Sequence, residues 1–130
     1  MSKKFEDYNE YEQAIISYIN FHGDMCAGSL CQIEKLAGNL STMSKNNVIT
    51  LYEINQEAIN AISRLASDQV IKITDSGETA WLCHTYDGAS VLDLPIAKDL
   101  TREYKKPRWM PTVFGKGENF PSIKFSIEEA

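Results

Sequence analysis

Apolar residues recur at helical spacing in three segments of the chain. In the first segment, five of them follow the intervals of a single helix face: Tyr11, Ala14, Ile15, Tyr18 and Ile19. Asp7 and Glu10 have the spacing of residues that cap the start of a helix. Gly23 is a typical helix end. The pattern therefore predicts a first helix that begins near Asp7 and ends at Gly23.

Two further helices are predicted between Ser29 and Ser67. Ser29 and Gln32 have the spacing of a capping box, and an apolar stripe follows at Leu30, Ile33, Ala37 and Leu40. Gly38 and Asn39 are stop signals near the end of this second helix. The third helix spans about 56–67, with Asn55 as its N-cap and with one apolar face formed by Ala58, Ile62 and Leu65.

Strand patterns flank the third helix. The segment 41–54 is ambiguous, because its apolar positions around Val48–Tyr52 fit either a short helix or a β-branched strand. After the third helix, Val70–Thr74 is a β-rich run, Asp75–Glu78 is a turn with a glycine, and Thr79–His84 fits a returning strand. The sequence therefore predicts a β-hairpin behind the third helix.

Charge and proline divide the chain of 130 residues into two parts. Residues 1–97 carry six basic and thirteen acidic side chains, whereas residues 98–130 carry seven basic and five acidic ones. All four prolines lie from Pro95 onward. We expect an acidic folded domain over 5–94 and a basic arm, extended and containing proline and aromatic residues, over 95–130.

The order of the predicted elements resembles the winged-helix superfamily. Three helices closed by a β-hairpin are typical of that fold, and Ala58–Ile73 resembles its recognition helix followed by the first strand of the wing. The resemblance covers about residues 7–86 and implies an α+β domain of three to four helices with a hairpin wing. One departure is that about seventeen residues separate Ala37 from Asn55, whereas a compact helix-turn-helix has a short turn there. An extra helix or a longer second helix would account for them.

The resemblance implies that the third helix reads double-stranded DNA. Its candidate contacts are the polar residues Asn55, Gln56, Asn60, Ser63 and Arg64, with Lys72 added from the wing. Asn and Gln suit adenine edges, and Arg suits guanine or phosphate. The alternative is that these side chains form an ordinary solvated face, because Glu57 and Asp68 are nearby and the wing turn is acidic.

The arm alternates cations with aromatic side chains. Lys105, Lys106 and Arg108 are candidate phosphate contacts, and Trp109, Phe114 and Phe120 are candidates for binding a partner or a second copy of the chain. Residues 107–121 resemble the short tails of small phage and mobile-element DNA-binding proteins. The alternative is that the aromatic residues pack back on the domain or on a second subunit and leave the lysines in solvent.

Other chemistry has little support in the sequence. His22, Cys26 and Cys31 lie close together, as do Cys83 and His84, but neither group has the paired spacing of a zinc site. No catalytic set stands out, so we expect neither an enzyme nor a cofactor. An odd cysteine count favours free thiols in a reducing cytoplasm, and the apolar runs are too short to span a membrane.

Two functions therefore remain as hypotheses. The first is a small DNA-binding transcriptional regulator of phage or mobile-element type, acting as a homodimer. The second is a protein-binding module, such as an acidic inhibitor of a host nucleic-acid-handling or defence complex. The second hypothesis requires a continuous acidic patch formed by Glu10, Glu12, Glu34, Glu53 and Glu57.

Overall fold

A computed structural model describes residues 3–74, 92, 94–97 and 102–123 of the chain. Their fold belongs to the α+β class, as predicted. The helices are α1 (Glu10–His22), α2 (Ala27–Leu30) and α3 (Gln56–Ser67). The strands are β1 (Met25–Cys26), β2 (Ala37–Met43), β3 (Val48–Ile54), β4 (Ile71–Thr74), β5 (Arg108–Trp109) and β6 (Val113–Lys116). None of the helices in these residues is long and apolar enough to cross a membrane.

The N-cap of α1 is Asn9, two residues after Asp7, which the sequence pattern indicated as the cap. The Asn9 side chain accepts a hydrogen bond from the Glu12 amide at 2.8 Å, and the Glu12 carboxylate accepts one from the Asn9 amide at 3.1 Å. Asp7 instead accepts from the Lys4 amide in a preceding 3-10 turn, Phe5–Asp7. The end of the helix at Gly23 is confirmed, and the φ of 78° there suits a glycine.

The prediction of a long second helix from Ser29 is wrong. Helix α2 ends at Leu30, and the chain then makes turns in which the Gln32 amide donates to the Ser29 carbonyl. The later part of the expected apolar stripe lies in β2, which pairs antiparallel with β3. The hairpin provides hydrogen-bond partners for backbone N–H and C=O groups that would otherwise have to be paired within a helix. The ambiguous segment is therefore a strand, and the residues between α2 and α3 form a hairpin instead of another helix.

Helix α3 agrees with its prediction over 56–67. The Asn55 side chain accepts from the Ala58 amide at 2.8 Å, so Asn55 is the N-cap that the sequence indicated. The buried face of the helix consists of Ala58, Ala61, Ile62 and Leu65. These residues share one core with buried residues of α1, β4 and β6, among them Ile16, Ile71 and Phe114.

Two three-stranded sheets complete the fold. The first has the order β1-β6-β4, with both pairs antiparallel, and Thr74 of β4 lies opposite Val113 of β6. The second has the order β2-β3-β5, in which β5 runs parallel to β3 and places Ile49 opposite Trp109. The strand that we predicted as the partner of β4, Thr79–His84, lies outside the described residues.

Both sheets contain a strand from the region that the sequence assigned to a basic arm. Strand β5 edges the second sheet, and β6 is the central strand of the first. Trp109 and Phe114 are each only 1% exposed. Trp109 and Phe114 are therefore buried within the described fold, and strands from both sides of residue 95 pair in the same sheets.

Candidate functional site

The most cationic segment of the described chain is a turn that leads into β5. We call residues 102–108 the basic turn; its sequence is Arg102-Glu103-Tyr104-Lys105-Lys106-Pro107-Arg108. It carries four cations and one carboxylate in a protein whose net charge is −5. Lys105 and Lys106 are exposed at its centre. The turn therefore presents a local positive charge on a protein of opposite overall sign.

Backbone hydrogen bonds attach the basic turn to the loop between β2 and β3. The Tyr104 amide donates to the Asn46 carbonyl at 3.2 Å, and the Asn47 side-chain amide donates to the Tyr104 carbonyl at 2.7 Å. At the other end of the turn, the Arg108 amide donates to the Asn47 carbonyl at 2.9 Å. Asn47 has a φ of 65°, a conformation that asparagine tolerates better than most residues. The loop thus holds Tyr104 and Arg108, on either side of the two central lysines. It also carries the exposed Lys45.

Trp109 fixes a second segment beside the basic turn. Its indole Nε1 donates to the Leu94 carbonyl at 3.0 Å, and its amide donates to the Pro95 carbonyl at 3.1 Å. The Ala97 amide donates to the Trp109 carbonyl at 2.8 Å. The indole itself is buried edge-on against the Tyr52 ring, with the ring centroids 6.1 Å apart. Residues 94–97 are therefore held along β5 by the backbone and the indole of Trp109, the residue that also anchors β5 in the core.

A groove of about 570 Å³ lies between these two segments. Its lining combines apolar and charged side chains: Leu94, Pro95, Glu103, Tyr104, Lys105, Lys106, Pro107 and Arg108. The Arg108 guanidinium lies 4.5 Å from the centroid of the Tyr104 ring, and its Nη1 donates to the Ile96 carbonyl at 3.4 Å. Among the described residues of its lining, three cations stand against one carboxylate, so this part of the groove is positive. Its volume is within the range of small-ligand sites.

The two central lysines of the basic turn are not neutralised within the described residues. The salt bridges found there join Lys35 to Glu10 at 3.3 Å and Arg64 to Glu12 at 3.4 Å. Neither Lys105 nor Lys106 takes part in such a pair. Their ammonium groups can therefore interact with an anion without first breaking a salt bridge to a carboxylate in this part of the chain.

Four of the five predicted DNA contacts at α3 have partners within the protein: Asn55, Gln56, Asn60 and Arg64. Asn55 caps the helix and also donates to the Lys35 carbonyl at 2.8 Å. The Gln56 side-chain amide donates to the Asn60 side-chain oxygen at 2.9 Å. Ser63 is exposed, as is Lys72 on β4. The exposed face of α3 also carries Glu57, so its charge does not favour phosphate.

Arg64 contributes to stability through an acidic partner that is nearly buried. The Glu12 side chain is 9% exposed, and the Arg64 side chain is 45% exposed. We expect Arg64→Ala to lower the free energy of unfolding by about 1–2 kcal/mol, less than for a fully buried pair, because it leaves the Glu12 carboxylate without its cation. Urea denaturation measures this change. Lys35→Ala, at an exposed salt bridge, is the control and should cost less than about 1 kcal/mol. Equal losses in the two variants would contradict this role of Arg64.

The residues predicted to bind a protein partner are largely unavailable at the surface. Trp109 and Phe114 are buried, and Phe120 is half-buried against the main core with Lys116 Nζ 5.2 Å from its ring centroid. The acidic patch is interrupted as well, because Glu12 is buried and because Glu10 and Glu12 both have cationic partners.

Two tyrosines have raised pKa values. Burial raises the pKa of Tyr52, and the nearby Cys31 and Cys26 thiols and the Glu53 carboxylate raise it further. Burial also raises the pKa of Tyr8, with the Glu12 carboxylate as the next cause. Both phenols are therefore neutral over the physiological pH range, and neither adds charge to the surface.

The cysteines and histidines considered for metal binding do not form a ligand set in the described residues. Cys26 is buried, and the Cys31 thiol donates to the Gly28 carbonyl at 3.0 Å. No group of three or more Cys, His, Asp or Glu side chains is placed to hold a metal ion in that part of the chain. Cys83 and His84 lie outside it.

The sequence predicted the cations of this groove but not the apolar residues that line it. Lys105, Lys106 and Arg108 were predicted as phosphate contacts, and the structure brings them to one groove. Leu94 and Pro95 were not predicted to take part, although the proline marked a change in composition there. The Asn46-Asn47 pair is a turn signal that could have indicated the supporting loop.

Comparison of the chain with protein-family models, with curated proteins and with solved structures gave no match.

Proposed function

We propose that this protein is a small, non-enzymatic winged-helix DNA-binding protein, of the kind that regulates transcription in phages and mobile elements. In this proposal the basic turn contacts the phosphate backbone. The observation that carries the proposal is the concentration of four cations in residues 102–108 of a protein with a net charge of −5. Lysine and arginine contacts to phosphate supply the sequence-independent part of DNA affinity.

The order of the elements supports a winged-helix arrangement. The antiparallel β4 and β6 form a ladder behind α3, where the wing of that fold would lie. The chain departs from a compact version at two places: the hairpin β2–β3 stands between α2 and α3, and residues 75–112 separate β4 from β6. The β2–β3 hairpin is hydrogen-bonded to the basic turn through its loop, and the segment between β4 and β6 contains the basic turn.

Helix α3 has a smaller role in this proposal than its position suggests. Gln56 and Asn60 would have to exchange their mutual hydrogen bond for contacts with base edges. Glu57 lies on the same exposed face and would be repelled by phosphate. We therefore attribute most of the affinity to the basic turn, which predicts binding that depends strongly on salt and weakly on sequence.

The experiment that tests the proposal is a titration of a fluorescently labelled random duplex, followed by anisotropy at several salt concentrations. Binding that weakens steeply as salt increases is the expected result. Absence of binding even at low salt would overturn the proposal and favour the protein-binding alternative.

The double variant Lys105→Ala/Lys106→Ala tests the assignment of residues. If both lysines contact phosphate, the slope of log affinity against log salt should decrease by about 2, because each lost contact removes about one released counterion. The matched control is Lys3→Ala/Lys4→Ala, which removes the same charge from two adjacent exposed lysines elsewhere. An equal change of slope in both double variants would show that net charge matters and that the basic turn has no special role.

A further inference from the structure

Beside Lys105 and Lys106, the groove offers a surface on which a flat ring can stack. The Arg108 guanidinium lies over the buried Tyr104 ring, which supports it from within the fold, and Pro95 and Pro107 line the same groove. A guanidinium plane of this kind stacks on nucleobases, and such stacking is tolerant of sequence. The groove thus combines a surface for a base with cations for the adjoining phosphate.

The walls of the groove are already assembled in the protein alone. Tyr104 and Arg108 are hydrogen-bonded to the Asn46–Asn47 loop, and Leu94 and Pro95 are hydrogen-bonded to Trp109. Binding a ligand therefore requires little ordering of the backbone, which is the larger cost at flexible sites.

We propose that this groove takes an unpaired nucleotide, with the base against Arg108 and the phosphate near Lys105 and Lys106. The inference rests on the proposed function and extends it, since it names the form of nucleic acid that the site prefers. A base inside a duplex is stacked between its neighbours and cannot enter a groove of the protein without being flipped out. A single-stranded segment next to a duplex presents its bases at no such cost.

The planar guanidinium of Arg108, and not the charge of the groove, favours a nucleotide over an acidic peptide as the occupant. Both carry negative charge, but only the nucleotide places a planar ring next to each negative group. Glu103 on the same lining would repel a peptide rich in carboxylates as well as a phosphate, so the cations alone do not distinguish the two. The guanidinium plane of Arg108, supported by the buried Tyr104 ring, does distinguish them.

The test compares two labelled duplexes that differ only in a short overhang. One overhang is oligothymidine, and the other consists of the same number of abasic nucleotides, so that the phosphates are identical. The protein should bind the oligothymidine overhang about fivefold or more tightly, which corresponds to one stacked base. Equal affinities for the two overhangs would overturn the inference while leaving duplex binding intact. Absence of binding to both would instead count against the proposed function.

A pair of charge-conserving variants tests whether Arg108 causes the preference for the oligothymidine overhang. Arg108→Lys keeps the positive charge but removes the planar group, whereas Arg102→Lys makes the same change outside the groove lining. We expect Arg108→Lys to abolish the preference for oligothymidine over abasic overhangs and Arg102→Lys to retain it. The salt dependence should be the same in both. If Arg108→Lys keeps the full preference, or if polyglutamate competes as well as the oligothymidine strand does, a nucleotide is not the occupant.

Discussion

Replacement of Trp109 by alanine is expected to lower the free energy of unfolding by about 3–5 kcal/mol, the usual cost of deleting a large buried aromatic side chain. Trp109 is 1% exposed and packs edge-on against Tyr52. Its indole also donates to the Leu94 carbonyl at 3.0 Å, so the substitution removes a hydrogen bond in addition to apolar contacts. A protein of this size has only about 5–15 kcal/mol of stability, so the loss would be a large part of the total.

Urea denaturation followed by far-ultraviolet circular dichroism measures this loss. Trp109→Phe keeps an aromatic ring and removes the N–H donor, so it should lie between the wild type and Trp109→Ala. Phe21→Ala is the matched control, because Phe21 is 65% exposed and its removal should change stability by less than about 0.5 kcal/mol. A small effect of Trp109→Ala would mean that the packing of the indole and its hydrogen bond to the Leu94 carbonyl do not stabilise the fold as described.

The placement of Trp109 shows which parts of this fold the sequence could predict. Helix α3 and the end of α1 were predicted because their signals are local: apolar residues at a spacing of 3.6, with Asn55 before α3 and Gly23 after α1. The start of α1 was placed at Asp7, whereas its N-cap is Asn9. The strand Ile71–Thr74 was predicted within one residue, because its signal, a run rich in β-branched residues, is also local. Its partner β6 could not be identified, because pairing Thr74 with Val113 depends on contacts between distant residues.

The second helix was predicted wrongly because apolar residues stand at helical spacing in a segment that does not form a long helix. Leu30, Ile33 and Ala37 stand at helical intervals, yet Ala37 already belongs to a strand whose partner is β3. Here, tertiary pairing was stronger than a weak local preference. The glycine at position 38 indicated the end of a helix to us, but in the structure it allows two backbone segments to approach closely.

The candidate site was predictable only in its charge. The cations of the basic turn form a cluster in the sequence, and such a cluster can be identified without knowing how the chain folds. The groove depends on the folding of β5 against β3 and on the hydrogen bonds of Trp109, which no local pattern shows. For the same reason the sequence could not show that Trp109 and Phe114, two of the candidates for an interface, are buried.

Gly38→Ala is expected to destabilise the protein by about 2–3 kcal/mol, in the upper part of the range for an overfilled site. A Cβ at this position would lie 2.7 Å from the backbone of Ile54 and from the Asn55 amide nitrogen. These backbone atoms cannot move independently, because Asn55 caps α3 and its amide donates to the Leu36 carbonyl at 2.9 Å. The strain therefore extends from the β2–β3 hairpin to the start of the helix.

Gly115→Ala is the control that separates backbone crowding from the loss of a glycine. Its Cβ would also meet an atom at short range, 2.6 Å, but that atom is Oδ1 of the exposed Asp24 side chain, which can rotate away. Both glycines lie in strands, and both substitutions reduce the entropy of the unfolded chain equally. Gly115→Ala should therefore cost less than about 1 kcal/mol, and its urea midpoint should stay close to that of the wild type. If the two variants unfold at the same urea concentration, the close approach of β2 to the start of α3 does not determine stability.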